Sequence, residues 1–186
     1  MTTTIHLLRH GEVDNPEGII YGHMPGYRLS ATGRLEVQSA AETLAERGSF
    51  EALFTSPLDR AQESAGIVAE RLGLTPVIDP RLAESEISGY QGKPFSALPS
   101  PYITEDGVAG IESAASMRAR MIDWVITARE YERVIAVSHR DPIAMLLLYW
   151  TGIGLNRLSD LTLPTGSLHE VQLEGARVKV SGPAVG

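Results

Sequence analysis

Arginine and histidine side chains stand at three junctions where a predicted strand gives way to a turn or a helix. The first strand ends in Arg9-His10, the second predicted helix carries Arg60 in its first turn, and the fourth strand ends in Ser138-His139-Arg140. A helix N-terminus has partial positive charge, so a cation there is disfavoured unless an anion lies beside it. Planar arginine donors and helix N-termini both bind phosphate well. The pattern therefore predicts a phosphoryl-binding site.

A histidine nucleophile explains why these residue types occur together, and His10 is the candidate. Neutral imidazole can attack phosphorus once arginines neutralise the phosphate's charge and hold it in line. The arginines would then do what magnesium does in other phosphoryl-transfer enzymes, so we expect no metal ion and no cofactor. We expect His6, His23 and His169 to be structural.

Breaking the bond to an alcohol also requires a proton, which predicts a carboxylic acid in the same pocket with a raised pKa. The candidates are Glu12, Asp14, Glu84, Glu86 and Glu105. Position favours Glu84, because it follows the third predicted strand and would emerge at the same edge as the cations.

The elements that must position these residues follow a mixed α/β pattern. Apolar runs predict strands at 4–8, 51–55, 76–79 and 133–137, and a C-terminal hairpin at 168–173 and 176–180. Helical spacing predicts helices from Ser30 to Gly48, from Ser56-Pro57 to about Leu72, over 117–128 and over 143–150. Ser30 and Ser56 are predicted N-caps, with Pro57 at the first helical position and Asp59 as a capping-box acid. Such a pattern indicates a largely parallel sheet with helices on both faces, which binds ligands at the carboxyl ends of its strands.

Length and composition narrow the class of protein further. With 186 residues, 43% of them hydrophobic, we expect one domain over 1–186, with a loop-rich excursion at about 91–110. The net charge of −7 argues against a nucleic-acid or membrane partner, and the lack of cysteine excludes disulfides, cysteine-based zinc sites and cysteine nucleophiles. The longest apolar run, 143–150, is far shorter than the roughly 20 residues of a membrane span. Because the first residues also lack the pattern of a signal peptide, we expect a cytoplasmic protein.

Taken together, these residues resemble the histidine phosphatase superfamily, whose fold is called phosphoglycerate-mutase-like. The matching segments span most of the chain: Leu8 to Glu12, Tyr27 to Gly33, Thr55 to Ala61, Arg81 to Glu84, Gly89 to Gly92, Glu112-Ser113 and Val137 to His139. The resemblance implies a three-layer α/β sandwich with a mostly parallel central sheet flanked by helices.

The resemblance also implies a role for each site residue. His10 would be the nucleophile that becomes phosphorylated, Arg9, Arg60 and His139 the phosphate pocket, and Glu84 the proton donor that later acts as base toward water. Asn15 resembles the asparagine that family members place after the Arg-His-Gly turn to contact phosphate, although its spacing from His10 is one residue shorter.

Two departures from the family pattern concern the same pocket. Arg140 stands where relatives usually have glycine; its N–H stays available, and its side chain can clash, point away or offer a cation to a second anionic group of the substrate. We therefore include Arg140 among the predicted substrate-binding residues. The segment Ser85 to Ser88 replaces an aromatic or glycine residue of the relatives, which makes Glu86 the reserve candidate for the acid.

Three functions fit these residues. The leading prediction is a metal-independent phosphomonoesterase that hydrolyses a small organic phosphate through a phosphohistidine. The alternatives are a phosphoglycerate-type phosphomutase and a phospho-ligand binding protein without turnover. The modest length of the 91–110 excursion favours hydrolysis, because the family's cofactor-dependent mutases carry a larger insertion over the site.

The expected partner is a small phosphate ester, and the hairpin at the C-terminus leaves open the possibility of a homo-oligomer. The predicted rim residues are Tyr21, His23, Arg28, Tyr90, Lys93, Phe95 and Tyr102.

Overall fold

A six-stranded mixed sheet forms the centre of the computed structural model, which describes residues 2–181. The strands are β1 (Thr2–Arg9), β2 (Ala52–Thr55), β3 (Pro76–Ile78), β4 (Arg133–Ser138), β5 (Leu168–Glu174) and β6 (Arg177–Ser181). They lie in the order β3-β2-β4-β1-β5-β6. The first four in this order run parallel to one another, and β5 and β6 add the antiparallel pairs of the predicted hairpin. Of the predicted domain 1–186, the first residue and the last five lie outside the described residues.

Four helices pack on the two faces of this sheet, two on each face. They are α1 (Ala31–Glu46), α2 (Asp59–Leu72), α3 (Ala114–Ala128) and α4 (Arg140–Thr151). One apolar core joins the sheet to α1 and α2, and a second joins it to α3 and α4. The predicted three-layer α/β sandwich with a mostly parallel central sheet is thus confirmed.

The central strands supply both cores at once. In β1, Ile5 and Leu7 face the core of α3 and α4, whereas Leu8 faces the core of α1 and α2. Successive side chains of a strand point to opposite faces, so a strand covered on both faces must be apolar throughout. This is why the buried strands appear in the sequence as short, mostly apolar runs, with His6 as a buried polar exception in β1.

The start of α2 differs from the prediction, whereas the start of α1 agrees with it. Ser30 caps α1 as predicted, its Oγ accepting the N–H of Gly33 at 2.9 Å. In α2 the helix begins at Asp59, with Leu58 at the N-cap, so Ser56 is not the cap and Pro57 is not the first helical residue. Ser56 Oγ instead accepts the N–H of Leu58 at 3.3 Å, and such a local bond to a side chain competes with the start of a helix.

The loop-rich excursion contains one short 3-10 helix, Phe95–Ala97. After this helix, Leu98 and Tyr102 of the excursion pack on a small apolar cluster of Ile20, Ile87 and Ile111. Two further 3-10 helices, Pro80–Leu82 and Leu155–Asp160, lie after β3 and after α4.

Two further predictions about the fold concern association with a second chain and the crossing of a membrane. The hairpin places β6 at an edge of the sheet, and association of two chains there stays a prediction. Within residues 2–181, each helix is either too short or too polar to cross a membrane.

Candidate active site

The carboxyl ends of β2, β4 and β1 meet at one edge of the sheet because the three strands are parallel neighbours. The N–H of His10 donates to the carbonyl of Ser138 at 3.0 Å, and the N–H of Ser56 donates to that of Val137 at 3.0 Å. The rings of His10 and His139 therefore lie with their centroids 5.0 Å apart. The structure thus brings together the junctions that follow the first and the fourth predicted strands.

Two glycines allow the turn after β1 to press directly on the first turn of α1. A Cβ at Gly11 would lie 2.2 Å from the carbonyl oxygen of Gly33, and one at Gly33 would lie 2.1 Å from the carbonyl oxygen of Glu12. The same turn is tied to α2, since Gly11 N–H donates to Ser64 Oγ at 3.3 Å and Ser64 Oγ donates to the Arg60 carbonyl at 2.7 Å. The backbone around His10 is thus fixed by both helices of one layer.

The hydrogen bonds of His10 define which ring nitrogen can act as a nucleophile. Nδ1 lies 2.7 Å from the carbonyl oxygen of Gly11, which can only accept, so Nδ1 carries the proton. Nε2 accepts from Nε of Arg60 at 3.3 Å. Burial, and then the nearby charge of Arg60, hold the pKa of His10 well below its usual value of 6.5. At neutral pH the ring is therefore neutral, with its lone pair on Nε2.

Two arginines lie near His10, and the charges of both contribute to lowering its pKa. Arg60 is 1% exposed; its Nη2 donates to the carbonyl of Gly22 at 3.0 Å, and its guanidinium lies 4.8 Å from the ring centroid of Tyr21. Arg9 donates through Nη1 to the carbonyl of Leu163. Burial lowers the pKa of both side chains, but arginine remains charged at any ordinary pH.

His139 is held by a serine that the sequence analysis did not assign to the site. Its Nε2 lies 2.7 Å from Ser56 Oγ, which also accepts the N–H of Leu58. This contact with Ser56 fixes the orientation of the His139 ring. Within residues 2–181, His139 Nδ1 and Arg9 Nε are buried polar atoms without a hydrogen-bond partner, as expected of donors meant for a ligand.

Glu84 lies in the same cavity as Arg9 and Arg60. Its Oε1 accepts the N–H of Ser85 at 2.9 Å. Burial, and next the negative charge of Asp141, raise the pKa of Glu84 to about 7, against the opposing charges of Arg60 and Arg9. Near neutral pH a large fraction of this carboxyl group is therefore protonated.

Asp141 is a second site residue that sequence reasoning missed. It is buried at the start of α4, where its Oδ1 accepts from Tyr102 Oη at 2.8 Å and its Oδ2 from Ser85 Oγ at 3.3 Å. In the sequence Asp141 served only to indicate the start of a helix. Its position near Glu84 could have been predicted, because residues in the first turn of α4 lie at the same edge of the sheet as Arg60 and His139.

The other four candidate acids lie outside the cavity lining. Glu12 accepts from Ser30 Oγ at 2.6 Å, Glu105 forms an ion pair with Arg118, and Asp14 is exposed. Glu86 Oε2 lies 3.3 Å from Nδ1 of His23. Among the residues that the structure describes, no group of three His, Asp or Glu side chains could hold a metal ion.

The two remaining predicted ligands of phosphate differ in their position. Asn15 is not brought to the cavity: its Nδ2 donates to the Ile19 carbonyl at 2.9 Å and its Oδ1 accepts the Ile19 N–H at 3.3 Å. Both groups of its amide are used within its own loop, so these contacts give no support to a role in phosphate binding. Arg140 does line the cavity, where its Nη1 donates to Asp141 at 3.0 Å and to Tyr102 Oη at 3.1 Å.

A cavity of about 710 Å³ is lined by Arg9, Arg60 and Glu84, whereas the buried His10 and His139 are not part of its lining. Of the predicted rim residues, Tyr21, Phe95 and Tyr102 line it. His23, Arg28, Tyr90 and Lys93 are not part of its lining. The volume is well within the range of sites that enclose a small organic ligand.

A mixed β-sheet that is flanked by helices and has two histidines, two arginines and an acid at one edge is typical of phosphoglycerate-mutase-like proteins. The family model "Histidine phosphatase superfamily (branch 1)" matches residues 5–184, and the chain belongs to this family. The resemblance inferred from the motifs is thereby confirmed.

Known relatives agree with this assignment. The chain is 36% identical to the uncharacterized protein Rv0525 of Mycobacterium tuberculosis over 163 residues, which cover 81% of this chain and 79% of that protein. It is 28% identical over 186 residues to a 2,3-bisphosphoglycerate-dependent phosphoglycerate mutase of Thermoplasma acidophilum, covering 95% and 90% of the two chains. The solved structure of mycobacterial glucosyl-3-phosphoglycerate phosphatase Rv2419c superposes with a TM-score of 0.83 at 22% identity and covers 97% of each chain.

Proposed function

We propose that this protein is a metal-independent phosphomonoesterase that works through a phosphohistidine on Nε2 of His10. The observation that carries the proposal is the protonation of His10, whose Nδ1 is committed to the Gly11 carbonyl while Nε2 faces Arg60. A neutral imidazole with its lone pair beside the guanidinium of Arg60 is an arrangement that suits attack on a phosphoryl group held by that arginine.

In the first step the substrate's phosphoryl group binds Arg60, Arg9 and His139. When the phosphate oxygens take over the donors of Arg60, its bond to His10 Nε2 is released and the lone pair can attack phosphorus in line. The new bond joins Nε2 to phosphorus as the ester P–O bond breaks. The protonated carboxyl group of Glu84 gives its proton to the departing alkoxide, so the product is a neutral alcohol.

In the second step a water molecule attacks the phosphohistidine. Glu84, now a carboxylate, accepts a proton from this water, and the Nε2–P bond breaks to give inorganic phosphate. His10 returns to the neutral tautomer fixed by Gly11. The arginines oppose the build-up of negative charge in both steps.

A phosphomutase is the alternative that a specific finding favours, because of the 28% identity with the Thermoplasma acidophilum mutase. The first half-reaction is common to both activities. A mutase then returns the phosphoryl group to a second hydroxyl and must keep water out meanwhile.

We also propose that the protein is located in the cytoplasm, which fits a chain that contains no cysteine.

The first experiment is release of p-nitrophenol from p-nitrophenyl phosphate in EDTA between about pH 5 and 8, a range that spans histidine and carboxylate titration. We expect turnover by the wild type and a loss of at least about 1,000-fold in His10→Ala, as for other removed nucleophiles. His169→Gln is the matched control, since His169 is also buried but belongs to β5, outside the site. An active His10→Ala would refute the mechanism.

A second substrate separates the roles of nucleophile and acid. Glu84→Gln should slow an alkyl ester such as benzyl phosphate by about 100-fold or more, and p-nitrophenyl phosphate far less, because only the poor leaving group needs a proton. Equal losses would place the acid elsewhere, with Glu86 as the next candidate. If the wild type hydrolyses neither ester, a monophosphoglycerate with a bisphosphorylated primer tests the mutase, and no reaction there would leave a binding protein.

A further inference from the structure

We propose that the outer part of the cavity is an apolar subsite for the leaving alcohol, and that the enzyme acts on phosphomonoesters of uncharged, largely apolar alcohols. This inference deepens the proposed function and rests on it. It excludes phosphoglycerates and other substrates with a second anionic group. The subsite is formed by two segments, 95–103 and 155–159, which we call the outer wall.

The inner end of the cavity holds the charges that phosphoryl transfer uses. Arg9, Arg60 and Glu84 line it there, next to Gly22 and Tyr21. The outer wall lines the same cavity without a single charged side chain. Its lining is dominated by large apolar groups, among them Phe95, Leu98, Ile103, Leu155 and Leu158.

The cations near the outer wall are already paired. Arg140 lines the cavity, but its Nη1 already donates to the carboxylate of Asp141 at 3.0 Å. Arg157 lies within the outer wall in sequence but not in the lining, and its Nε donates to Asp160 at 2.7 Å. A carboxylate or a second phosphate bound against this wall would lose water and gain no cation from the lining residues of the wall, which is strongly unfavourable.

The outer wall is built into the fold, which makes its apolar character a stable property of the site. Ile103 and Leu158 are buried members of the core of α3 and α4. Leu98 and Tyr102 pack on the cluster of Ile20, Ile87 and Ile111. Ile20 and Ile87 also line the cavity, so they extend the apolar surface of the wall that contacts them.

The size of the cavity agrees with a substrate larger than a phosphorylated three-carbon acid. A volume of about 710 Å³ accommodates a ligand of drug-like size whose surface is mostly buried. Phe95, 57% exposed, offers an aromatic face at this wall. The polar side chains of the wall, Ser100, Asn156 and Ser159, are uncharged and suit an isolated hydroxyl of the alcohol.

The test compares kcat/KM for three aryl esters: phenyl phosphate, 1-naphthyl phosphate and 4-carboxyphenyl phosphate. We expect 1-naphthyl phosphate to exceed phenyl phosphate by at least about tenfold, because the second ring is buried against the outer wall. We expect 4-carboxyphenyl phosphate to fall at least about tenfold below phenyl phosphate, although its carboxylate makes the phenol the better leaving group.

Charged variants on both segments of the outer wall localise the effect. Leu98→Lys and Leu155→Lys should each abolish the preference for the naphthyl ester and raise kcat/KM for the carboxylated ester by about tenfold or more. Leu35→Lys is the matched control, because Leu35 is a 66% exposed leucine on α1 and should leave the ratios unchanged. Two variants from separate segments keep the test valid if one of them fails to fold.

The outcomes separate the subsite from the phosphatase. Turnover with equal kcat/KM for the phenyl and naphthyl esters, or with a preference for the carboxylated ester, overturns the subsite and leaves the phosphatase intact. If no ester is hydrolysed, the phosphatase proposal fails, and calorimetry with the stable analogues 1-naphthylmethylphosphonate and benzylphosphonate decides on the subsite. Tenfold tighter binding of the naphthyl analogue supports it, and equal affinity overturns it.

Discussion

At the scale of single residues, two carboxyl groups share the part of the cavity that a substrate's leaving group would enter. Asp141 is buried and Glu84 is partly buried, and Asp141 is the better supplied with donors, from Tyr102 and Ser85. Two like charges in one site resist simultaneous ionisation. After burial, the negative charge of Asp141 is the second cause that raises the pKa of Glu84 to about 7, a value that suits a general acid near neutral pH.

A direct prediction follows for the variant Asp141→Asn. Removing the negative charge takes away one of the two causes that raise the pKa of Glu84, so this pKa moves down toward its usual 4.5. Arg60 and Arg9 face Glu84 as well and push its pKa in the same downward direction. In the pH profile of kcat/KM for benzyl phosphate, the loss of activity with rising pH should therefore start at a lower pH than in the wild type, where it starts near 7.

Asp123→Asn, on the exposed side of α3, is the control for that measurement. It should leave the profile in place. A profile of Asp141→Asn that coincides with the wild type would show that Asp141 does not set the acidity of Glu84.

At the scale of secondary-structure elements, the contact between the turn after β1 and the first turn of α1 is the tightest in the site. Gly33→Ala would bring a Cβ to within 2.1 Å of the Glu12 carbonyl oxygen, which lies in backbone and cannot rotate away. We expect the free energy of unfolding to fall by about 1–3 kcal/mol, as for other overpacked positions. We also expect kcat/KM to fall at least about tenfold, because the displaced turn carries His10.

Gly66→Ala provides the matched control, since Gly66 also lies in a helix of the same layer. Within the described part of the chain, a Cβ at Gly66 would meet no atom within 4 Å. Alanine should therefore raise the free energy of unfolding by about 0.5–1 kcal/mol through its better helix propensity. Urea unfolding and phosphatase assays on both variants test the pair; a Gly33→Ala that matches Gly66→Ala would contradict the close approach.

At the scale of the whole molecule, buried neutral histidines connect the fold to pH. His6 and His169 are buried, and burial lowers the pKa of each to about 4. His10 and His139 are shifted in the same direction. Because the unfolded chain binds protons below about pH 6.5 and the folded chain does not, stability falls as the pH drops from 6.5 toward 4.

The expected slope is about 1.4 kcal/mol per pH unit for each such histidine, or about 2.7 for His6 and His169 together, with His10 and His139 adding to it. Urea unfolding at pH 7, 6 and 5 measures this slope. His169→Gln removes one titrating group and should reduce the slope by about 1.4 kcal/mol per pH unit. An unchanged slope in that variant would show that His169 titrates normally in the folded protein.

The order of elements and the place of the site were accessible from the sequence because their signals are local. Apolar runs covered on both faces predicted the central strands, and Ser30 predicted the start of α1, since a cap acts on residues three positions away. Arg9, Arg60 and His139 could be predicted to lie near one another because each stands at the junction of two elements, and parallel strands bring such junctions to one edge. The same argument selected Glu84 from five acids, and it alone of the five lines the cavity.

The remaining features depended on contacts between residues far apart in the chain, which only the tertiary structure decides. Ser56 was predicted as a helix cap, but it lies against His139, 83 residues away, and α2 begins three residues after it. Asp141 acts on Glu84 only because α4 and the loop after β3 pack together, and Asn15 turned out to bond within its own loop. The outer wall likewise joins two segments that are separated by α3, β4 and α4. Sequence determines which groups each junction offers; packing determines which of them meet, because the free energy of such contacts depends on geometry that no local pattern contains.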